Sequence, residues 1–132
     1  MVQIYKEILI MLSEINGANL AYVGDAVLEL MVRKKLVLDG GKIGELNKQA
    51  DSYVCAGNQS RVADRILPVL TEEELSVYKR GKNIHTNSIP KSATHIEYRK
   101  ATGLEALFGY LYLAGETKRL EELFNYGFFE KK

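Results

Sequence analysis

The sequence predicts an all-α fold, and three observations lead to that prediction. Apolar residues recur at three- and four-residue intervals over most of the 132 residues, which is the spacing of amphipathic helices. No stretch alternates apolar and polar residues for long enough to form a sheet strand, and Pro68 and Pro90 are the only prolines. Hydrophobic residues make up 46% of the chain and charged residues 27%, so we expect one globular domain over residues 1–132.

The first half of the chain predicts three helices. Ile4, Ile8 and Leu12 recur every four residues and predict a short first helix. Asn19 is a residue type that favours the N-cap, so a second helix is predicted from there to about Leu38, before Asp39-Gly40-Gly41. A third, unbroken helix is predicted over residues 43–67.

The second half predicts three more helices and one long loop. Thr71 followed by three glutamates is typical of a capping box, so a fourth helix is predicted from Thr71 to Gly81. Residues 82–91 have the composition of a polar loop. Helical spacing resumes over residues 93–114, and a last short helix is predicted from Thr117 to about Tyr126.

Composition excludes several classes of protein. The single cysteine, Cys55, excludes a disulfide framework and a zinc site built from several thiolates. Its apolar neighbours predict that it is a small core residue within a helix. The longest aliphatic run, Ile8 to Leu12, is too short to cross a bilayer, and no signal-peptide pattern opens the chain. We therefore expect a cytoplasmic protein without membrane contact.

The net charge of +1 hides an uneven distribution. Residues 79–100 carry six basic side chains against Glu97 alone, a net charge of +5, whereas residues 1–78 carry −3 and residues 101–132 carry −1. This basic segment is interpreted either as a solvated surface loop or as a loop that contacts nucleic-acid phosphates. The second interpretation is favoured by the polar residues interspersed in it, which are Asn83, His85, Thr86, Asn87 and Ser88.

Two predicted helices carry carboxylates among apolar residues. The only charged residues within 20–32 are Asp25 and Glu29, and the only one within 101–114 is Glu105. A helix that is apolar nearly all round is normally buried, and a buried carboxylate needs a partner because an isolated charge is costly there. Glu29 has Arg33 four residues later, which predicts a helical ion pair.

Asp25 and Glu105 have no basic neighbour one turn away on their own helices. Each needs a distant base, a helix N-terminus or a metal ion as its partner. A metal ion can be the shared partner only if the two helices bring Asp25 and Glu105 together. Mg²⁺ prefers oxygen ligands and would suit such a site. Gly24 and Gly109 lie inside these helices, where glycine is unfavourable, and they favour a close helix crossing near the acids.

These residues resemble a known family. LAYVGDAVLEL over residues 20–30 resembles the signature of the ribonuclease III catalytic domain, and ATGLEALFGYLYLAG over residues 101–115 resembles that domain's second acidic helix. KRGKN over residues 79–83, with Pro90-Lys91 and Tyr98-Arg99, is similar to the short Mini-ribonuclease III branch. That branch has a catalytic domain and no separate double-stranded-RNA-binding domain, and the resemblance covers essentially the whole chain.

The resemblance implies an all-α ribonuclease III catalytic-domain fold, a homodimer, and Mg²⁺-dependent cleavage of double-stranded RNA, with Mn²⁺ as a substitute ion. It implies a precursor of 23S ribosomal RNA as substrate, with a ribosomal protein as a candidate partner. Asp25 and Glu105 fall on two of the family's catalytic, metal-binding positions. Two other positions depart from the family pattern, with Ala21 in place of Glu and Thr102 in place of Asp, which leaves fewer ligands for a second ion.

The basic segment supplies the candidate RNA-binding residues, which are Arg80, Lys82, Asn83, His85, Lys91 and Arg99. Arg80 and Arg99 could equally pair with buried acids.

Two alternatives to an enzyme stay open. A non-catalytic RNA-binding or ribosome-associated module on the same fold is favoured by the departures at Ala21 and Thr102. The second alternative is a helical interaction protein that binds no RNA, in which the basic segment would serve solubility alone. Asp25 and Glu105 favour the enzyme, because a module that only binds gains nothing from unpaired buried acids.

Overall fold

A computed structural model describes residues 2–84 and 94–130, and all regular structure in this part is helical. A 3₁₀ turn (Leu67–Val69) follows the fourth helix, and a π-helical turn (Asn125–Phe129) follows the seventh. The all-α prediction is confirmed. The helices are α1 (Val2–Glu14), α2 (Gly17–Leu38), α3 (Ile43–Val54), α4 (Ala56–Ile66), α5 (Glu72–Lys82), α6 (His95–Leu113) and α7 (Thr117–Phe124).

Side-chain caps set the starts of three helices. The side chain of Asn16 accepts a hydrogen bond from the backbone N–H of Asn19, so α2 begins earlier than predicted and Asn19 is not its cap. Thr71 and Glu74 form the predicted capping box of α5. Thr94 and Glu97 form a second capping box, which starts α6.

The predicted third helix is two helices, because the backbone is extended at Cys55 (φ −64°, ψ 153°). Cys55 is exposed, so the prediction that it is a core residue is wrong. Two amide side chains of α4 hold the junction: Asn58 Nδ2 donates to the carbonyl oxygen of Tyr53 and Gln59 Nε2 to that of Val54, each at 2.8 Å. These bonds satisfy carbonyls at the end of α3 that have no following helical turn to pair with.

Helix α6 forms the centre of the core, and α2, α4 and α5 pack around it. Its side chains are buried on most sides, as its apolar composition predicted. The predicted packing residues Leu104, Leu107, Phe108 and Leu111 are all buried. No helix in the described part of the chain is long and apolar enough to span a membrane.

Helices α2 and α6 cross with their backbones in contact. A Cβ added at Gly24 would overlap the carbonyl oxygen of Glu105, and one added at Gly109 would overlap the carbonyl oxygen of Leu20. Each glycine therefore makes room for the backbone of the other helix, and the predicted close crossing is confirmed. Because Asp25 follows Gly24, the crossing brings Asp25 next to Glu105.

Helix α2 is buried on one face only. Leu20, Leu28 and Val32 are fully buried, whereas Tyr22 is 83% exposed and Leu30 is 67% exposed. The expectation that α2 is buried all round is therefore wrong for its outer face. The other helices cover its inner face, and the described residues leave the outer apolar face open.

We predict that Gly24→Ala destabilises the protein by roughly 2 kcal/mol, within the usual cost of overpacking a core. The added methyl group must push α2 and α6 apart. The matched control is Gly44→Ala in α3, since, apart from its chain neighbours and the backbone of its own helix, no described atom lies within 4 Å of a Cβ there. That control should leave stability unchanged or raise it by up to about 1 kcal/mol through helix propensity. Urea unfolding measures both, and a Gly24→Ala protein as stable as the wild type would contradict the crossing.

Candidate active site

Asp25 of α2 and Glu105 of α6 lie side by side, with their carboxyl groups within hydrogen-bonding reach of each other. Glu105 is half-buried and Asp25 is exposed. The expectation that both acids are buried is therefore wrong for Asp25, because its position on α2 faces the open side of the crossing. The expected convergence of the two acids is what the structure shows.

The environment of Glu105 opposes its negative charge. Burial and the neighbouring charge of Asp25 raise the pKa of Glu105 to about 8, while the nearby Gln59 amide acts in the opposite direction. Two carboxylates in contact repel each other when both are ionised. A divalent cation between them would remove that repulsion, so the pair fits a hard metal ion.

The donor set around the two acids is small. Within residues 2–84 and 94–130, no group of three or more His, Cys, Asp or Glu side chains is placed to hold a metal. Ala21 offers no ligand, and the hydroxyl of Thr102 donates to the backbone carbonyl of Tyr98 at 2.9 Å. Water would therefore fill most of the coordination shell of an ion held by Asp25 and Glu105, as it often does for Mg²⁺.

The two acids open onto a cleft of about 430 Å³ between α2, α5 and α6. Lys82 at the end of α5 and Arg99 in the second turn of α6 line this cleft. A cleft with carboxylates and cations together can hold a phosphate group and a metal ion at once. Its other lining residues are Ala18, Ala21, Tyr22, Gly81, Ile84, Tyr98 and Thr102.

The remaining candidate RNA-binding residues lie elsewhere or outside the described residues. Arg80 does not line the cleft; its Nη1 donates to the carbonyl oxygen of Ser13 in α1 at 3.1 Å. Asn83 follows α5 as its C-cap and also lies outside the cleft lining. His85 and Lys91 fall outside the residues that the structure describes.

The third acid of the apolar helices has the partner that the sequence predicted. Arg33 Nε lies 3.1 Å from Glu29 Oε2 on the surface of α2. Glu29 therefore belongs to an ordinary helical ion pair and lies outside the cleft lining.

Sequence reasoning missed Tyr22, Tyr98 and Gln59 near the acids. Tyr22 could have been found, because it precedes Asp25 by three residues and shares its helix face. Gln59 could not have been found, since it approaches Glu105 through the packing of α4 on α6 and no local spacing indicates it.

The family model of the ribonuclease III domain matches residues 18–116, a range that contains both acids. This chain belongs to the ribonuclease III family. Ribonuclease III proteins are endoribonucleases that act on double-stranded RNA, and this chain is an endoribonuclease of that kind. The ribonuclease III fold and the family that the sequence resembled are both confirmed.

Relatives within the ribonuclease III family match over most of their length. The Mini-ribonuclease 3 of Symbiobacterium thermophilum is 45% identical over 106 residues, which cover 80% of this chain and 82% of that protein. The Mini-ribonuclease 3 of Enterococcus faecalis is 44% identical over 116 residues, which cover 86% and 88%. A crystal structure of a protein from Fusobacterium nucleatum is 38% identical, has a TM-score of 0.78, and is matched over 85% of this chain and 90% of that one.

Proposed function

We propose that Asp25 and Glu105 are the catalytic, metal-binding residues of a Mg²⁺-dependent endoribonuclease that cuts double-stranded RNA. The observation that carries this proposal is the contact between the two carboxyl groups in a cleft lined by Lys82 and Arg99. The repulsion between the two acids also supports this proposal. A bound cation would relieve the repulsion, whereas packing the two acids in an apolar core would not. Mn²⁺ shares the preference for oxygen ligands and is proposed as a substitute ion.

The residues of the cleft have two different roles in hydrolysis. Asp25 and Glu105 hold the ion, and Lys82 and Arg99 bind phosphate oxygens of the RNA strand and orient it. When bound, Mg²⁺ acidifies a coordinated water and neutralises charge on the scissile phosphate. Hydrolysis would add a water oxygen to phosphorus, break the bond between phosphorus and the 3′ oxygen and transfer a water proton to that oxygen, which would leave a 5′-phosphate and a 3′-hydroxyl.

We predict that Asp25→Asn and Glu105→Gln each lower kcat for cleavage of a duplex RNA in Mg²⁺ by at least about 100-fold. Loss of a metal ligand should exceed the 10–100-fold that loss of an outer-shell partner costs. Gel assays with end-labelled duplex measure the rate, and circular dichroism verifies folding. Glu29→Gln, which removes the surface acid paired with Arg33, is the matched control and should cleave at the wild-type rate.

Two outcomes would contradict this assignment. A folded Asp25→Asn protein that cleaves like the wild type would show that Asp25 is not a catalytic residue. A wild-type protein that binds duplex RNA but does not cleave it in Mg²⁺ or Mn²⁺ would favour the non-catalytic RNA-binding or ribosome-associated module.

We predict that Lys82→Gln and Arg99→Gln each weaken duplex RNA binding and reduce its salt dependence. Each removed phosphate contact should lower the slope of log affinity against log salt by about 1, because fewer counterions are released. Arg33→Gln is the matched control, since Arg33 lies outside the cleft and pairs with Glu29. Binding titrations at several salt concentrations measure the slope, and unchanged slopes for both cleft variants would exclude them as phosphate contacts.

We propose that the outer face of α2 packs against the same face of a second copy. This face borders an apolar groove of about 800 Å³ that runs from Tyr22 past Leu30 to Leu38, with Tyr112 opposite. These four side chains are exposed, and a contiguous exposed apolar patch usually marks an interface. Asp25 also lines the groove, so a symmetric pair would bring two acid pairs near one axis, as cutting both strands of a duplex requires.

We predict that the wild type is a dimer and that Leu30→Glu is a folded monomer with much reduced duplex cleavage. The carboxylate introduced by Leu30→Glu would be buried in the interface of a dimer, which is unfavourable, whereas in a monomer it would be exposed to water. Val37→Glu is the matched control, because Val37 is an equally exposed apolar residue of α2 that lies outside the groove lining. Sedimentation equilibrium measures the mass, and a monomeric wild type or a dimeric Leu30→Glu protein would contradict this interface.

The finer substrate assignment follows the Mini-ribonuclease III resemblance. We propose that the substrate is double-stranded RNA of a 23S ribosomal RNA precursor, whose ends the enzyme matures, with a ribosomal protein as a partner. The cleft supports this only in its general chemistry, since Lys82 and Arg99 recognise phosphate and carry no base preference.

A further inference from the structure

An endoribonuclease that acts on double-stranded RNA meets the same phosphates in RNA and in DNA. The sugar 2′-hydroxyl is the group by which a protein tells the two apart at a given position. Lys82 and Arg99 of the cleft do not make this distinction, because phosphate contacts position a strand without reading its sugars. A side chain that reads the 2′-hydroxyl has to offer a further hydrogen-bonding group beside the strand.

Three of the described side chains that line the cleft carry a hydroxyl group, and they are Tyr22, Tyr98 and Thr102. The other described lining residues are apolar, or are the acids and cations proposed for the metal ion and the phosphates. The Thr102 hydroxyl donates to the carbonyl oxygen of Tyr98 at 2.9 Å, so its proton is already used within α6. The two tyrosines are therefore the candidates among the described lining residues.

Tyr98 is held in place more firmly than Tyr22. Tyr22 is 83% exposed and also lines the apolar groove, whereas Tyr98 is half-buried near the start of α6. Ordering a freely rotating side chain costs binding free energy, so the partly buried tyrosine is the better preorganised of the two. The hydrogen bonds among the described residues use the backbone of Tyr98 and leave its hydroxyl unused.

The position of Tyr98 along α6 suits contact with a sugar close to the acids. Tyr98, Thr102 and Glu105 follow one another at four- and three-residue intervals, so they lie on one face of the helix. Tyr98 precedes Glu105 by two turns, which is about 10 Å along the helix axis. Arg99 is its neighbour in the chain and lines the same cleft. A strand that runs from the acids to Arg99 therefore brings a ribose to Tyr98.

We propose that Tyr98 is a specificity-determining residue whose phenolic hydroxyl bonds to the 2′-hydroxyl of a nucleotide within three positions of the scissile phosphate. This inference rests on the proposed function of the cleft as the site of hydrolysis. A phenol and a ribose hydroxyl can each donate and accept, whereas deoxyribose offers no partner at that position. Because the site is built for that bond, a sugar without the hydroxyl leaves the phenol unpaired and is disfavoured.

The test is a double-mutant cycle between the hydroxyl of Tyr98 and single 2′-hydroxyls of the substrate. The wild type and Tyr98→Phe, which removes only the phenolic oxygen, cleave duplex RNAs that each carry one 2′-deoxynucleotide within three positions of the scissile bond. We expect one position at which deoxy substitution lowers wild-type kcat/KM about three- to tenfold, as loss of one neutral hydrogen bond does. Tyr98→Phe should lose a similar factor on the all-RNA duplex and nothing more at that position.

Two matched variants remove a phenolic hydroxyl elsewhere. Tyr22→Phe changes the other tyrosine of the cleft, and Tyr126→Phe changes an exposed tyrosine outside the lining of both the cleft and the groove. Both variants should keep the full wild-type loss at the sensitive position, and Tyr126→Phe should also keep the wild-type rate on the all-RNA duplex. A loss that disappears in Tyr22→Phe and persists in Tyr98→Phe would overturn the proposal.

Two further results would count against Tyr98: a wild type that tolerates every single deoxy substitution, and deoxy losses that multiply with the loss in Tyr98→Phe. Asp25→Asn separates this inference from the proposed function. If Asp25→Asn loses cleavage while the losses in Tyr98→Phe multiply, only the role of Tyr98 fails. If Asp25→Asn cleaves like the wild type, the cleft is not the site of hydrolysis and the role of Tyr98 fails with it.

Discussion

The backbone contact of α2 and α6 at Gly24 and Gly109 is the constraint on which the rest of the site depends. The carbonyl oxygen of Glu105 occupies the space that a Cβ at Gly24 would need, so the following residue, Asp25, is placed beside Glu105. Burial is the larger cost of the Glu105 charge, and the neighbouring charge of Asp25 adds to it. The packing around α6 maintains this unfavourable arrangement, which is the arrangement that a divalent cation stabilises.

The proposed metal-binding residues, the proposed phosphate-binding residues and the open face of α2 lie next to one another. Lys82 and Arg99 line the cleft that contains Asp25, and Asp25 also lines the apolar groove along α2. The residues proposed for RNA binding, for hydrolysis and for pairing of two copies are therefore adjacent, with Asp25 common to the cleft and the groove. Of the basic residues in segment 79–100, Lys82 and Arg99 line the cleft, whereas Arg80 contacts α1 and Lys100 pairs with Asp64.

Features that depend on local sequence could be predicted, and those that depend on packing could not. The capping box of Thr71 and the ion pair of Glu29 depend on neighbouring residues alone. Gly24 and Gly109 indicated the helix crossing, because glycine is unfavourable within a helix. The break at Cys55 has no proline or glycine at the site itself to indicate it, and amide side chains of α4 hold it. The exposed position of Asp25 was not predictable either, since apolar composition does not show which face of a helix the rest of the chain covers.

Anomalous X-ray diffraction from crystals of the protein soaked in Mn²⁺ can show whether Asp25 and Glu105 form a metal site. We expect a Mn²⁺ peak beside the two carboxylates of the wild type, bound to them directly or through one water, and no peak there in Asp25→Asn. Mn²⁺ bound elsewhere in the wild type, with the space between Asp25 and Glu105 empty, would contradict it.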